Sequence, residues 1–586
     1  MKFRMIGWWT FSGSTIAELS VINGMNLPAM RWLLFIFCLL LLPLAAWTHH
    51  PSGTEPVGND VVMARVYTQD RERLLQLGND YDLWYYLWRE GYALIRSDRD
   101  RLPADAQVDV AMSESLKQTA QVFRGTGTIP ARTCYRTVEK TFADLQQLAT
   151  DQPGLAQWVD YGDSWEKDQV LGGYDLSALI LSNQSIAGPK PVLMVMAAMH
   201  ARELSTAEVA TRFAELLFNG YGTDPDITWM LDYFEVHILP QQNPDGRKMA
   251  EGECTVSCFP GWRKNTNQNY CGPASSSRGA DLNRNSDSSF WGGASSSGSA
   301  CNETYRGPSA SSEPETLAVE AYAASVFPDF RDALPNDLTT PADEESDGVF
   351  ISIHSAGDIV FYPWEGVNDL PPNLAGLRGL AQKMGHATTF AACQNCFIGT
   401  ASGTTVDNVY EKLGIASYTY EIGSSFGESC TGFESTVLPR TLDGLLSAAR
   451  HSRRPYQTSL GPDVLDVELT SVGGGNLNLL ATADDTRRAV NGGGEPLDAS
   501  QAIAAVRYSI GEPPWLASSV FDMSADDGTF DEASEVALAT INKADVGTGK
   551  KLIYVFAEDA DGNQGPPSAV WADLDLMFDH SFESQP

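Results

Sequence analysis

The sequence predicts an α/β protein: an apolar sheet covered by helices, with a small α+β unit ahead of it and a β-sandwich behind. Three observations predict this. Between Cys134 and Arg450, near-continuous apolar runs alternate with amphipathic helical stretches, which is how buried strands between helices read. Upstream, a strand-like run, a leucine-bearing helical stretch and a hairpin follow one another within residues 56–120. After Arg453-Arg454-Pro455, short alternating strands are parted by Gly, Pro and Asp clusters, the texture of a β-sandwich.

Composition bounds the rest. At roughly 150 residues per domain, 586 residues imply about two to four domains. Hydrophobic residues make up 43% and charged residues 20%, as in globular rather than disordered chains. The 40 Lys and Arg against 75 Asp and Glu leave a formal charge of −35, which argues against a nucleic-acid partner, since phosphate binding needs a concentrated basic surface.

Arg31 precedes a continuous apolar run, Trp32–Ala46, that closes on Leu44-Ala45-Ala46. A basic n-region, an apolar h-region and small residues at its end read as a secretory signal. The run is short of the ~20 residues a membrane span needs. Residues 1–46 are therefore expected to be a signal peptide, with Met25 and Met30 as alternative starts that make residues 1–24 a misassigned beginning. The mature protein is expected to be secreted, periplasmic or extracellular, with no stable membrane span after signal removal.

In the 56–120 unit, Val61–Thr68 is strand-like, Leu74, Leu75 and Leu77 mark a helix, and Leu83–Trp88 and Tyr92–Arg96 flank a turn at Glu90-Gly91. Gly125–Pro130 reads as a linker. The 134–450 domain carries strands at Asp175–Leu181, Val192–Met199, Phe234–Leu239, Val349–His354 and Ala416–Ile422. The 460–578 module carries them at Val464–Leu469, Leu477–Ala481, Ala504–Ile510, Val536–Ile541 and Lys551–Glu558. Asp559-Ala-Asp-Gly-Asn563 lacks the rest of a calcium-binding loop and reads as a hairpin turn. Of nine cysteines, Cys38 lies in the leader; the remaining even number reads as disulfides in an exported chain. For Cys393 and Cys396 a redox or zinc role competes with a bridge, and export favours the bridge.

His200 and Glu203 follow the strand Val192–Met199. Ser205-Thr-Ala-Glu208 has a capping-box signature, and Val209, Phe213, Leu216 and Leu217 mark one helical face. The pair thus sits where a strand hands over to a helix, the edge at which open α/β sheets bind ligands. An imidazole and a carboxylate three residues apart can converge on a metal ion. A surface His beside a helix-start Glu has the same spacing. Catalytic zinc takes three protein ligands. His49 and His50 flank the leader, His237 lies mid-strand, and His386 and His451 look helical and exposed, so His354 is the partner by elimination. Glu421 closes another strand; it is either solvated there or, in a zinc hydrolase, the general base. Arg263 and Arg284 can serve an oxyanion or a carboxylate, against the plainer reading of salt-bridged surface arginines.

Taken in order, Met199–Glu203 (MHARE), Asn243–Arg247 (NPDGR), Trp262–Lys264 (WRK), Gly279–Asn285 (GADLNRN), Cys301–Pro308 (CNETYRGP), Ser352–Ser355 (SIHS) and Thr419–Ile422 (TYEI) resemble the zinc carboxypeptidases of the carboxypeptidase A/B type. The resemblance implies a mixed eight-stranded sheet sandwiched by helices, and hydrolysis of the C-terminal peptide bond of peptides and proteins. It implies one Zn2+ per chain held by His200, Glu203 and His354, with Glu421 as general base and Arg263 stabilising the oxyanion. Asn283 and Arg284 match the pair that grips the substrate's free C-terminal carboxylate, and Arg202 matches an auxiliary substrate-binding arginine. Cys271–Cys301 matches the family's bridge; Cys254–Cys258 and Cys393–Cys396 are then local bridges, which leaves Cys134 with Cys430. The family's mobile tyrosine aligns with Gly399, so no capping tyrosine is assigned. Thr404 to Val406 align with the base of the pocket for the terminal side chain. Members that remove Lys or Arg carry an acid at the position of Val406, so apolar or aromatic terminal residues are the expected preference here. The 56–120 unit resembles a pro-segment. Two alternatives stay open: a zinc amidohydrolase acting on cell-wall peptides or acyl-amino acids, and an inactive peptidase-like binding protein.

Overall fold

The computed structural model describes residues 61–573 apart from 116–124, 126, 256–257, 332–336 and 473. The expected signal peptide and part of the expected linker lie outside the described residues. Among these residues the N-terminal unit is a four-stranded sheet of order β2-β3-β1-β4: β1 (Val61–Tyr67), β2 (Asp82–Leu87), β3 (Tyr92–Asp98) and β4 (Gln107–Asp109). Helix α1 (Arg71–Asp80) packs Leu74 and Leu77 on one face, and Asp70 caps it by accepting from the Glu72 N–H at 3.0 Å. The other face carries Met63, Trp84, Tyr85 and Leu94, which pack on Ala356 and Phe426 of the main domain.

A short ribbon, β5 (Thr128–Ile129) and β6 (Arg132–Arg136), leads into the main domain. Its sheet has eight strands in the order β13-β12-β14-β11-β9-β10-β8-β7. They are β7 (Ala156–Asp163), β8 (Asp175–Leu181), β9 (Val192–Ala197), β10 (Glu235–Leu239), β11 (Val349–His354), β12 (Ile359–Phe361), β13 (Ala391–Cys393) and β14 (Ala416–Glu421). The central strands β10, β9, β11 and β14 run parallel, while β7 and β8 add on antiparallel. The pleat divides each central strand between two cores. Val195 and Ile351 face a cluster with Val209 and Phe213 of α2 (Leu204–Gly220), Leu377 of α3 (Leu374–Thr388) and Leu445 of α4 (Leu438–Arg450). Met194, Met196 and Phe350 face a second cluster containing Val319 of a helix over Pro314–Val326 and Val409 of one over Thr405–Leu413. Both faces are therefore helix-covered, as the alternation predicts. Strands β7, β12 and β13 escape the sequence reading. β7 is an edge strand with mostly half-exposed side chains, and β12 and β13 span three residues each, too few to show a period.

Behind the main domain, two four-stranded sheets, each built from strands between Asp463 and Asp573, share a core of Leu477, Leu479, Val506, Ile541 and Val555. Tyr554 and Ala569 of this module join the main-domain core. The Asp559 carboxylate accepts from the N–H groups of Asp561 and Asn563 at 2.9 and 2.8 Å, so the acidic loop closes on itself as a turn. The cysteines pair as 134–430, 254–258, 271–301 and 393–396.

Candidate active site

The parallel strands β9, β11 and β14 end on one edge of the sheet, and register places His354 opposite Glu421. The chain leaving β9 turns through Ala198, at φ +56°, and enters α2 at Leu204, so His200 and Glu203 fall in the connection. The result is a buried cluster. His200 Nδ1 lies 2.6 Å from Glu203 Oε1, His354 Nδ1 lies 3.2 Å from Glu203 Oε2, and the two Nδ1 atoms are 3.1 Å apart. The three residues are 3%, 2% and 0% exposed in the order His200, Glu203, His354. Burial alone would raise the Glu203 carboxyl, but His200 and His354 hold it well below its ordinary value.

The outward nitrogens are already engaged. His200 Nε2 faces Asp281 Oδ1 at 3.2 Å, and His354 Nε2 faces Ser352 Oγ at 2.9 Å. A carboxylate at Nε2 makes that nitrogen the N–H donor and leaves Nδ1 with its lone pair. Two Nδ1 atoms and a carboxylate turned inward form a donor set that suits zinc. Among the described residues, this trio is the group of His, Cys, Asp and Glu side chains close enough to hold an ion.

Asp281 also accepts from Arg263 Nε and Nη2 at 3.0 and 2.8 Å. That pairing aims Nη1 of Arg263 at the cluster, 3.3 Å from His200 Nδ1. The backbone helps: the Ala201 N–H donates to the Arg263 carbonyl at 3.1 Å. Asn243 braces both loops, its Nδ2 donating to the carbonyls of Met199 and Lys264 at 3.1 Å each. Arg247 donates to the Leu204 carbonyl at 3.2 Å. The sequence reading assigned no role to Asp281 or Asn243, though both lie inside the motifs it singled out.

Glu421 sits partly exposed beside the cluster; burial and the Glu203 carboxylate push its pKa up to about 8. Arg284 is oriented by two carbonyls, those of Ser295 and Asn283, at 3.0 and 2.8 Å. The Asn283 N–H donates to Asp281 at 3.1 Å, so the candidate carboxylate clamp hangs on the same aspartate. Arg202 is buried, its guanidinium 4.8 Å from the Trp84 ring and 4.4 Å from the Phe426 ring. Val406 is buried in the second core with Leu282 and Met199. At Gly399 the backbone has φ +78°, and an added Cβ would stand 2.8 Å from Leu75 of α1. A tyrosine there would be strained by that φ and would have to displace the exposed Leu75 side chain.

Two expectations need correction. The capping box at Ser205–Glu208 does not form. The helix starts at Leu204, and Glu208 instead takes the Arg136 backbone N–H and guanidinium at 3.1 and 2.9 Å. His451, read as exposed, is buried beneath strand Asp463–Ser471, its Nε2 3.7 Å from Asp463.

A family model described as zinc carboxypeptidase matches residues 141–434. The chain belongs to the zinc carboxypeptidase family. It is 28% identical over 313 residues to carboxypeptidase A2 of Rattus norvegicus, covering 52% of this chain and 65% of that protein. It is 27% identical over 310 residues to zinc carboxypeptidase A 1 of Drosophila melanogaster, covering 51% and 64%. The chain thus matches 64–65% of the length of these relatives. The crystal structure of the carboxypeptidase A from Helicoverpa armigera superposes with a TM-score of 0.53 at 22% identity, over 68% of this chain and 98% of that one, which shows a shared fold. Family membership implies zinc, and the His200–Glu203–His354 donor set fits it.

Proposed function

We propose that this zinc carboxypeptidase family member is an exported metallocarboxypeptidase that hydrolyses the C-terminal peptide bond of peptides and proteins. One observation carries the reading: two imidazole Nδ1 atoms and a carboxylate converge in a buried site, with Glu421 and Arg263 Nη1 beside them. His200, Glu203 and His354 would hold one zinc ion. When bound, zinc supplies Lewis-acid polarisation of a carbonyl and makes water more acidic. Glu421 takes the proton of the attacking water and passes it to the departing amine. Arg263, held by Asp281, stabilises the developing oxyanion. Arg284 and Asn283 hold the substrate's terminal carboxylate, which sets the last peptide bond at the cluster. The leader at residues 31–46 and the four disulfides support export. Among the described residues no helix is long and apolar enough to cross a membrane.

The N-terminal unit acts as an inhibitory segment in this reading. Trp84 and Tyr85 of β2 cover Phe426, and Trp84 stacks on the Arg202 guanidinium. The decisive assay measures turnover of a chromogenic peptide with a free C-terminal carboxylate, and of its C-terminal amide, with and without chelator. It is run on the intact chain and on chain nicked at residues 125–130. Chelator-sensitive cleavage of the free acid alone, faster after nicking, is expected. Equal cleavage of the amide would favour the amidohydrolase alternative, and a zinc-loaded, nicked chain without turnover would favour the inactive binding protein.

A further inference from the structure

A cavity of about 970 Å³ lies where the N-terminal unit, the main domain and the C-terminal module meet. That is the upper end of the roughly 300–1,000 Å³ found for small-molecule sites, which favour such seams. Its wall is built from residues 69–89 of the N-terminal unit, from α3 and the stretches after β12 and β13, and from residues 491–496 between two strands of the C-terminal module. None of the residues assigned to the zinc site or the carboxylate clamp lines it.

Three rings supply the apolar part of that wall: Tyr86, Trp88 and Phe397. Trp88 and Phe397 lie parallel, with 4° between their planes and 6.1 Å between centroids, and Tyr86 stands 5.6 Å from Phe397. Their polar atoms are spent elsewhere. The Tyr86 O–H donates to the Thr68 carbonyl at 3.1 Å and the Trp88 indole N–H to the Asp358 carbonyl at 3.2 Å, so these side chains offer a ligand their ring surface.

Most of the charges in the wall are also committed. Glu495 accepts the Gln394 N–H at 2.8 Å and the Tyr362 O–H. Arg378 pairs with Asp498 at 2.6 Å, and Arg89 donates to the Thr389 carbonyl. What is left uncommitted is mainly carboxamide. Among the described residues the side chains of Gln69 and Asn368 have no hydrogen-bond partner, Asn491 uses only its Oδ1 and Gln394 only its Nε2. Arg71 is likewise without an ion pair or hydrogen bond among the described residues.

An amide both donates and accepts, as a hydroxyl does, whereas a carboxylate only accepts and an ammonium only donates. Free donors and acceptors together, beside ring faces, therefore match a molecule with many hydroxyls and C–H faces. We propose that this cavity is a carbohydrate-binding site that prefers an oligosaccharide bearing a carboxylate. The sugar rings lie against Tyr86, Trp88 and Phe397, the hydroxyls pair with the four amides, and Arg71 takes the carboxylate. The inference does not depend on the carboxypeptidase reading, since neither zinc nor turnover enters it. A ligand seated there touches all three parts of the chain at once and stabilises their docking by mass action.

The test is titration calorimetry of the full, unnicked chain with trigalacturonate, maltotriose and 4-phenylbutyrate. Trigalacturonate is expected to bind at one site per chain and more tightly than maltotriose. Arg71→Ala is expected to weaken it about tenfold or more, roughly the effect of 1.4 kcal/mol. Asn368→Ala is expected to weaken both sugars. Arg71 and Asn368 are exposed, so neither variant disturbs a core. Trigalacturonate coupled to a carrier protein is run beside the free sugar. Binding of both forms supports a site for glycan attached to a larger molecule, and binding of the free form alone supports a site for a released sugar. Absence of binding by either sugar, tighter binding of maltotriose, affinities that neither variant changes, or binding of 4-phenylbutyrate alone would each overturn the inference.

Discussion

Asp281 is the residue on which the site's electrostatics converge, and replacing it with Asn tests the whole arrangement. The carboxylate is fully buried and receives four donors: His200 Nε2 at 3.2 Å, Arg263 at 3.0 and 2.8 Å, and the Asn283 N–H at 3.1 Å. Burial would raise its pKa, but Arg263 and His200 hold it well below the ordinary value, so the charged form is the native one. An amide of the same shape has one acceptor atom and turns N–H donors toward the guanidinium or the imidazole. Two costs follow. Breaking a buried charge pair by neutralising one partner costs about 3–5 kcal/mol of stability. Losing the acceptor that fixes the His200 tautomer costs about 10–100-fold in metal affinity. Zinc affinity is measured by competition with a chromophoric chelator, and stability by urea unfolding of the metal-free chain. Arg263→Gln is the control: it removes the ion pair, leaves His200 its partner, and is expected to keep zinc while losing turnover. If Asp281→Asn binds zinc as tightly as wild type, Asp281 serves Arg263 alone and the tautomer reasoning is wrong.

Two further outcomes are expected. Glu421→Gln should retain zinc, because Glu421 stands outside the converging donor atoms, yet lose about 10²–10⁴ in turnover as a missing general base; metal content and single-turnover rates check this. Glu315 is fully buried, accepts from the Trp165 N–H at 2.8 Å, and is pushed up to about 8 by burial and by Asp245 and Glu313. With a raised folded-state pKa, its stabilising share is complete below about pH 4.5 and is lost as pH rises through about 8. The stability of wild type relative to Glu315→Gln should therefore fall between pH 5 and 8, by about 4 kcal/mol at most. Denaturant midpoints across that range measure it, and a pH-independent difference would refute the burial argument.

What could be read from the sequence follows from what a residue's own neighbours report. Strands β9, β11 and β14 are buried on both faces, so they appear as near-continuous apolar runs, and His200, Glu203, His354 and Glu421 are conspicuous as polar groups at or just beyond their ends. Burial produced by a distant element leaves no such trace. His451 looks like a polar residue after a helix, and only the docking of the C-terminal module's first strand buries it. Gly399 looks like an ordinary loop glycine, and only the folded backbone shows its φ of +78°, which strains any L side chain there. The Ser205–Glu208 pattern satisfies a helix-start rule, yet Arg136, 72 residues earlier, takes the glutamate away.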